Sequence, residues 1–277
     1  MEDEACTRFL QWALPLLGLR WEGFRKVRRL LCKRIGKRLR ALQLPSLDAY
    51  RVRLGDDSSE WHWLDEATHI PISRFYRDRV VFDALRDRIL AELADRAAVR
   101  GDRVVRCWSA GCASGEEPYT IAIIWNLAVA PRYPNVSLNI VATDRDQKLL
   151  DRATIGCYSA SSAKELPAGW IEQAFDQRGP LYCIRESFKS NVRFARQDIR
   201  SKRPEGGFDL ILCRNFVFTY FDEVVQGQIT DAITDRLNEH GLLIVGRTER
   251  PPDAAIPLQP LSNLRGCYTR LAWRGGS

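Results

Sequence analysis

The sequence predicts an α/β protein: an N-terminal helical domain followed by a doubly wound, Rossmann-like domain with a small antiparallel β insert. Three observations carry this expectation. From Arg103 onward, short apolar runs with strand character alternate with helical stretches, the pattern of a sheet covered by helices on both faces. Before Arg103, apolar residues recur at three- and four-residue spacing, which is the period of helices. A glycine-bearing turn, Gly111 to Gly115, then joins a strand to a helix that opens with Glu116 and Glu117.

The helical part begins with "GFRKVRRLLCKRIGKRLRAL", in which Phe24, Val27, Leu30, Leu31, Ile35, Leu39 and Leu42 form one stripe. Arg25, Arg28, Arg29, Lys33, Lys37 and Arg40 fall on the other faces, so the segment reads as a single basic amphipathic helix. Leu44-Pro45-Ser46 ends it and starts another helix, "GDDSSE" reads as a loop, and "FDALRDRILAELADRAA" from Phe82 reads as a further amphipathic helix. The domain boundary is expected between 95 and 102, giving domains 1–98 and 99–277.

In the second domain the candidate strands are 104–110, 137–144, 191–198, 208–215, 241–248 and 266–273. Helices are expected after the first, second and fourth strands, with a further one possible after the third. The alternation breaks between Gly156 and Asn191, where "LYCIRESFK" reads as a small antiparallel pair, an insert at about 178–190.

With 277 residues, 45% hydrophobic and 28% charged, the chain has length and composition enough for a sizeable core. No apolar run approaches the roughly 20 residues that span a bilayer, and the acidic "MEDEACTRFL" is unlike a secretory signal, so a cytoplasmic protein is expected. The eight cysteines are scattered without a CxxC pair and read as reduced structural thiols; three histidines and no clustered ligands give no reason to expect a metal site. Formal charge is 42 − 35 = +7, yet between Arg20 and Arg40 ten basic residues face the single acid Glu22. Such a segment steers an acidic partner, the alternative being a merely solvated face.

Ligands of open α/β sheets bind beyond the carboxyl ends of the strands. The residues there are Gly111 to Glu117 after the first strand, Asp144 after the second, Asp198 after the third, and Arg214-Asn215 after the fourth. Gly111 and Gly115 match neither the G-x-G-x-x-G fingerprint nor the phosphate loop, and Glu116 and Glu117 would repel a pyrophosphate. An acid ending the second strand accepts from ribose hydroxyls, although Asp144 could instead cap a helix beginning near Asp146. S-adenosylmethionine, with a sulfonium, an ammonium group and no phosphate, suits this collection. One of the two glutamates also reads as charge placement in a first helical turn, worth about 0.3–1 kcal/mol.

The segments "PISRFYRDRVVFDAL", "WSAGCASGEEPYTIAI", "ATDRDQKLLDRATIGCY", "FDLILCRNFVFTYFD" and "GLLIVGRTE", in this order, resemble the CheR-type chemotaxis receptor methyltransferases over most of residues 20 to 272. The resemblance implies a helical N-terminal domain, an S-adenosylmethionine-binding domain with a β insert, and O-methylation of glutamate carboxylates in partner proteins. It implies cofactor contacts at Ser73, Arg77, Gly111, Glu117, Asp144, Asp198, Ile199, Arg214 and Asn215, with Arg77 and Tyr220 as the catalytic pair. Arg77 would pin the acceptor carboxylate and Tyr220 would orient its oxygen; alternatively Arg77 pairs Asp78 or Asp83, and Tyr220 fills core between Phe218 and Phe221.

The chain departs from the family pattern in three places. "HIPISRFYR" replaces T-N-x-T-x-F-F-R, four residues rather than three separate Asn215 from Tyr220, and "GRTERPP" stands where G-H-S-E is usual. These changes surround the acceptor rather than the adenosine. A small-molecule or RNA methyltransferase is therefore the second reading, and a non-catalytic cofactor-binding module the third. RNA is disfavoured because the basic stripe lacks interleaved stacking aromatics.

Overall fold

The computed structural model describes residues 3–271. Its contacts group into two compact units: Met1–Ile70 with Phe216–Gln226, and Pro71–Asn215 with Gly227–Ser277. The 98/99 position expected as the boundary lies inside the second unit. The helical stretch 79–100 shares a core there with the strands, through Phe82, Leu85, Ile89, Leu93 and Ala97.

The first unit holds α1 (Asp3–Leu16), α2 (Trp21–Phe24), α3 (Arg28–Ala41), α4 (Leu47–Asp56) and α5 (Ser58–Ala67). The basic segment is not one helix. Residues 20–24 are anchored on the 216–226 segment, with the Arg20 N–H donating to the Tyr220 carbonyl at 2.9 Å and the Arg20 Nε donating to the Thr219 carbonyl at 3.0 Å. The chain turns at 25–27 before α3 starts, so Phe24, Leu31, Ile35 and Leu39 are buried while Leu30 is 41% exposed. Ser46, where the sequence predicts the start of another helix, caps α4 through the Ala49 N–H. The expected 55–60 loop shrinks to Asp57, which ends α4 and caps α5 through the Ser59 N–H.

In the second unit α6 (Arg79–Ala84) runs through a π turn, Leu85–Ile89, into α7 (Leu90–Arg100). Then follow β1 (Val104–Ala110), α8 (Glu116–Ile124), β2 (Ser137–Asp144), α9 (Gln147–Ile155), β3 (Cys157–Ser159), α10 (Ala160–Ala163), α11 (Trp170–Ala174), β4 (Phe175–Arg178), β5 (Leu181–Ile184), α12 (Glu186–Lys189), β6 (Val192–Arg196) and β7 (Phe208–Cys213). The chain then passes through α13 (Val217–Tyr220), which belongs to the first unit, and α14 (Glu223–Thr234), which begins in the first unit and ends in the second, before β8 (Leu237–Val245), β9 (Leu258–Pro260) and β10 (Cys267–Arg270) complete the second unit.

Seven strands form one sheet in the order β6-β2-β1-β7-β8-β10-β9, parallel from β6 to β8 and antiparallel at β10 and β9. Every residue of β7 is buried, Asp209 included, and the rest of the strand is apolar, as expected of a central strand of a parallel sheet. No helix follows β6, where the chain turns at Asp198 instead. The last two residues of the strand expected at 266–273 lie outside the described residues.

β3, β5 and β4 make a separate three-stranded antiparallel sheet. The insert is therefore larger than the pair expected at 181–189, and 186–189 is helical.

The expectation of reduced thiols throughout is corrected. Cys6 is bonded to Cys32, and Cys157 to Cys183. Packing of α1 on α3 brings the first pair together, and the β3/β5 register sets the second pair opposite each other. Cys107, Cys112, Cys213 and Cys267 are buried thiols.

Candidate functional site

The chain runs outward from β1 through β2 to β6, then resumes at β7 on the other side of β1. The β1/β7 boundary is thus the topological switch point, the place where open α/β sheets bind their ligands.

The loop after β1 is held open by its backbone. Gly111 adopts φ +73° and donates its N–H to the Thr143 carbonyl at 2.8 Å. Gly115, at φ +91°, precedes α8; a Cβ there would lie 2.9 Å from the Ala153 Cβ and 3.1 Å from the Tyr158 hydroxyl, so only glycine fits. Asp144 at the end of β2 is 4% exposed and fastens this loop, accepting the Ala113 N–H on Oδ2 at 2.9 Å and the Asp146 N–H on Oδ1 at 3.0 Å. Asp146, not Asp144, caps α9 by accepting the Lys148 N–H. A carboxylate oxygen that accepts one N–H still has lone-pair capacity.

The two glutamates that open α8 differ in their surroundings. Glu116 is buried and accepts the Ser114 hydroxyl at 2.9 Å and the Ser162 hydroxyl at 3.3 Å. Glu117 accepts the Ser109 hydroxyl at 2.7 Å and an Arg214 Nη1–H at 3.0 Å. Arg214, at the end of β7, also reaches Asp78 at 2.7 Å and the Arg77 carbonyl at 2.8 Å, with its guanidinium over the Phe82 ring at 5.0 Å. One guanidinium therefore ties together the end of β7, the start of α8 and the turn before α6. Asp78 adopts φ +64° in that turn.

The remaining residues singled out in the sequence are dispersed around this network. The Arg77 side chain donates to the Ile72 carbonyl at 2.8 Å and pairs with neither Asp78 nor Asp83, the latter being engaged by the Tyr76 hydroxyl and Arg86. Ser73 is half-buried, and Ile199 is buried. Burial acts to raise the Asp198 pKa, but hydrogen bonds from the Arg200 side chain and backbone outweigh it and hold the carboxyl below its ordinary range.

Asn215 adopts φ +54° and donates its N–H to Glu249 at 2.7 Å. The same Glu249 oxygen accepts the Gly246 N–H at 2.6 Å. Glu249 is 6% exposed and was not singled out in the sequence, although an acid so soon after a buried strand was a signal for it. Tyr220 belongs to the helical unit, where it is half-buried and its ring lies 4.8 Å from that of Phe24.

Around the Gly111–Glu117 loop the charged groups are acidic on balance: Glu116, Glu117, Asp78 and Asp144 against Arg214, which is itself bound to two of them. This set of acceptors fits a ligand with sugar hydroxyls and a cationic end, and it does not fit a pyrophosphate. S-adenosylmethionine has that chemistry.

Residues 72–263 match the family described as CheR methyltransferase, SAM binding domain. The chain is 33% identical over 219 residues to an uncharacterized 104.1 kDa protein of Rhodobacter capsulatus, covering 78% of this chain and 22% of that protein. It is 36% identical over 181 residues to a chemotaxis protein methyltransferase of Listeria monocytogenes, covering 65% and 66% of the two chains. With a probable chemotaxis protein methyltransferase of Rhizobium etli it shares 31% over 228 residues, covering 80% and 84%. The chain spans about a fifth of the Rhodobacter relative and just under two thirds of the Listeria relative. By the family match across its sheet and switch-point loops, the chain belongs to the CheR methyltransferase family and carries that family's S-adenosylmethionine-binding domain.

Proposed function

We propose that the chain is an S-adenosylmethionine-dependent methyltransferase that esterifies glutamate side chains of a partner protein. The observation that carries this reading is the acidic switch-point site, with Asp144 at the end of β2 and Glu117 at the start of α8. The cofactor supplies a methyl group on a sulfonium, open to in-line attack by an oxygen. Asp144, at the end of β2, accepts the ribose hydroxyls. Gly111 lets the ligand approach the backbone, and Ile199 and Asp198 contact the adenine by packing and by hydrogen bonding. Glu117 and the neighbouring carboxylates attract the ammonium end, Arg214 keeps them in place, and Ser73 and Asn215 supply polar contacts.

A glutamate acceptor is already ionised near neutral pH, so the enzyme needs no strong base and positioning does most of the work. Arg77 holds the acceptor carboxylate through its planar fork of donors, and the resemblance gives Tyr220 the part of orienting the acceptor oxygen. Exposed Arg25, Lys26, Arg29, Lys33, Lys37 and Arg40 draw in an acidic, chemoreceptor-like partner. No helix among the described residues is long and apolar enough to cross a membrane, and the reading places the reaction in the cytoplasm.

Calorimetry with S-adenosylhomocysteine tests the cofactor site. Asp144→Asn keeps the shape and removes the charge, and hydrogen bonds to charged groups contribute about 1.5–3 kcal/mol. The dissociation constant should rise about ten- to a hundredfold. Unchanged affinity would remove the ribose role from Asp144, and no binding by the wild type would remove the cofactor from the site.

A further inference from the structure

Beyond β8 a groove of about 1040 Å³ opens between the 247–257 loop and the β9/β10 edge. Three guanidiniums line it, Arg247, Arg250 and Arg265, all exposed and without a carboxylate partner among the described residues. Against them stands one exposed acid in the lining, Asp253. The other acid, Glu249, is buried under the groove, and the Asn215 and Gly246 N–H groups occupy its oxygen. The groove is therefore basic.

Its position matters as much as its charge. The loop that walls it begins directly after Gly246, and Glu249 bonds it to Asn215, the residue following Arg214 at the switch point. The opposite wall is β9, the edge of the seven-stranded sheet, where Pro257 and Pro260 offer no N–H. An incoming chain thus finds few backbone donors along that edge, and its side chains must carry the recognition. Tyr268 adds a half-buried phenol that lies within the field of Arg250.

We propose that this groove docks an acidic peptide segment of the protein substrate and delivers its glutamates to the methyl-transfer site. The inference rests on the methyltransferase reading given above and assigns its substrate class to Arg247, Arg250 and Arg265. Three exposed charge contacts, each contributing roughly a factor of two, give about tenfold in affinity at low salt, and the effect fades as salt screens them.

The test uses the full chain and a fluorescein-labelled peptide of alternating Glu and Ala, read by anisotropy at about 50 mM salt. Wild type should bind it, and R247Q/R250Q/R265Q should bind about tenfold more weakly while S-adenosylhomocysteine affinity by calorimetry stays the same. Equal peptide affinity in the two proteins, or no binding by the wild type, overturns the proposal. Displacement of the peptide by an equimolar single-stranded RNA of the same length overturns it in favour of a nucleic-acid surface. Methyl transfer to the peptide is followed separately. Arginine-dependent binding without transfer upholds the docking site and defeats the methyltransferase reading, whereas transfer with the same KM in wild type and variant defeats the docking site alone.

Discussion

Arg214→Met is the most informative single perturbation of the site. The Arg214 side chain is 3% exposed and serves Glu117, Asp78 and the Arg77 carbonyl at once. Methionine matches much of its length and can still pack on Phe82, so the change isolates the lost charge and hydrogen bonds. Removing one member of a buried ion pair costs about 3–5 kcal/mol because the other is left uncompensated. Asp78 is 32% exposed and Glu117 15%, so water relieves part of the penalty. The expected loss is at the lower end, about 3 kcal/mol, read as a fall in the urea midpoint at constant slope. Arg214→Lys keeps the charge, but one ammonium cannot reproduce the fork that spans three acceptors, so it should lose about half as much. Adding Glu117→Gln and Asp78→Asn to Arg214→Met removes the orphaned charges and should recover at least half of the loss. A midpoint for Arg214→Met within about 1 kcal/mol of wild type would refute the reasoning.

The remaining predictions concern the thiols, the acid limb and the acceptor side. Alkylation of unreduced protein should modify no cysteine in the native state and four after denaturation, rising to eight after reduction; eight without reductant would contradict both disulfides. The Arg106 hydrogen bond, helped by Arg100 and opposed by slight burial, holds the Asp102 carboxyl down at about 2. A lowered folded-state pKa contributes stability above the ordinary carboxylate range that is lost as pH falls toward about 2. Wild type should therefore lose stability more steeply than Asp102→Asn over that window, and parallel profiles would contradict it. Tyr220→Phe should bind S-adenosylhomocysteine normally and turn over at least about tenfold more slowly; wild-type turnover would take the acceptor-orienting role away from Tyr220.

What was legible in the sequence followed from local physics. β1 and β2 match their expected bounds because strands buried over most of their length are predominantly apolar, and their ends marked Gly111 and Asp144. The helix start at Ser46 was readable because the cap that fixes it is a contact across three residues. The break at 25–27 was hidden because the apolar spacing continues through it while Arg20 answers to carbonyls some 200 residues away. Arg214 was found by its place after a strand, but its bonds to Glu117 and Asp78 join loops about 100 residues or more apart in sequence. Glu249 escaped because its bond to the Asn215 N–H joins the ends of two strands, a contact that local spacing does not record. The disulfides depend on helix packing and on strand register, neither of which leaves a mark in cysteine spacing. Folding the loops together also changed the meaning of the two opening glutamates: Glu117 is tied to Arg214, so the two are not a bare pair of carboxylates.

The central claim is methyl transfer to carboxylates, and the bond formed makes it directly testable. Purified protein is incubated with a lysate and S-adenosylmethionine carrying tritium in the methyl group, and the labelled proteins are then brought to alkaline pH. Methyl esters hydrolyse and release volatile methanol, whereas N-methyl groups do not. The account predicts labelled protein whose tritium becomes volatile in alkali and whose labelling falls sharply with Asp144→Asn. Alkali-stable label, label confined to RNA or small molecules, or no label at all would contradict it.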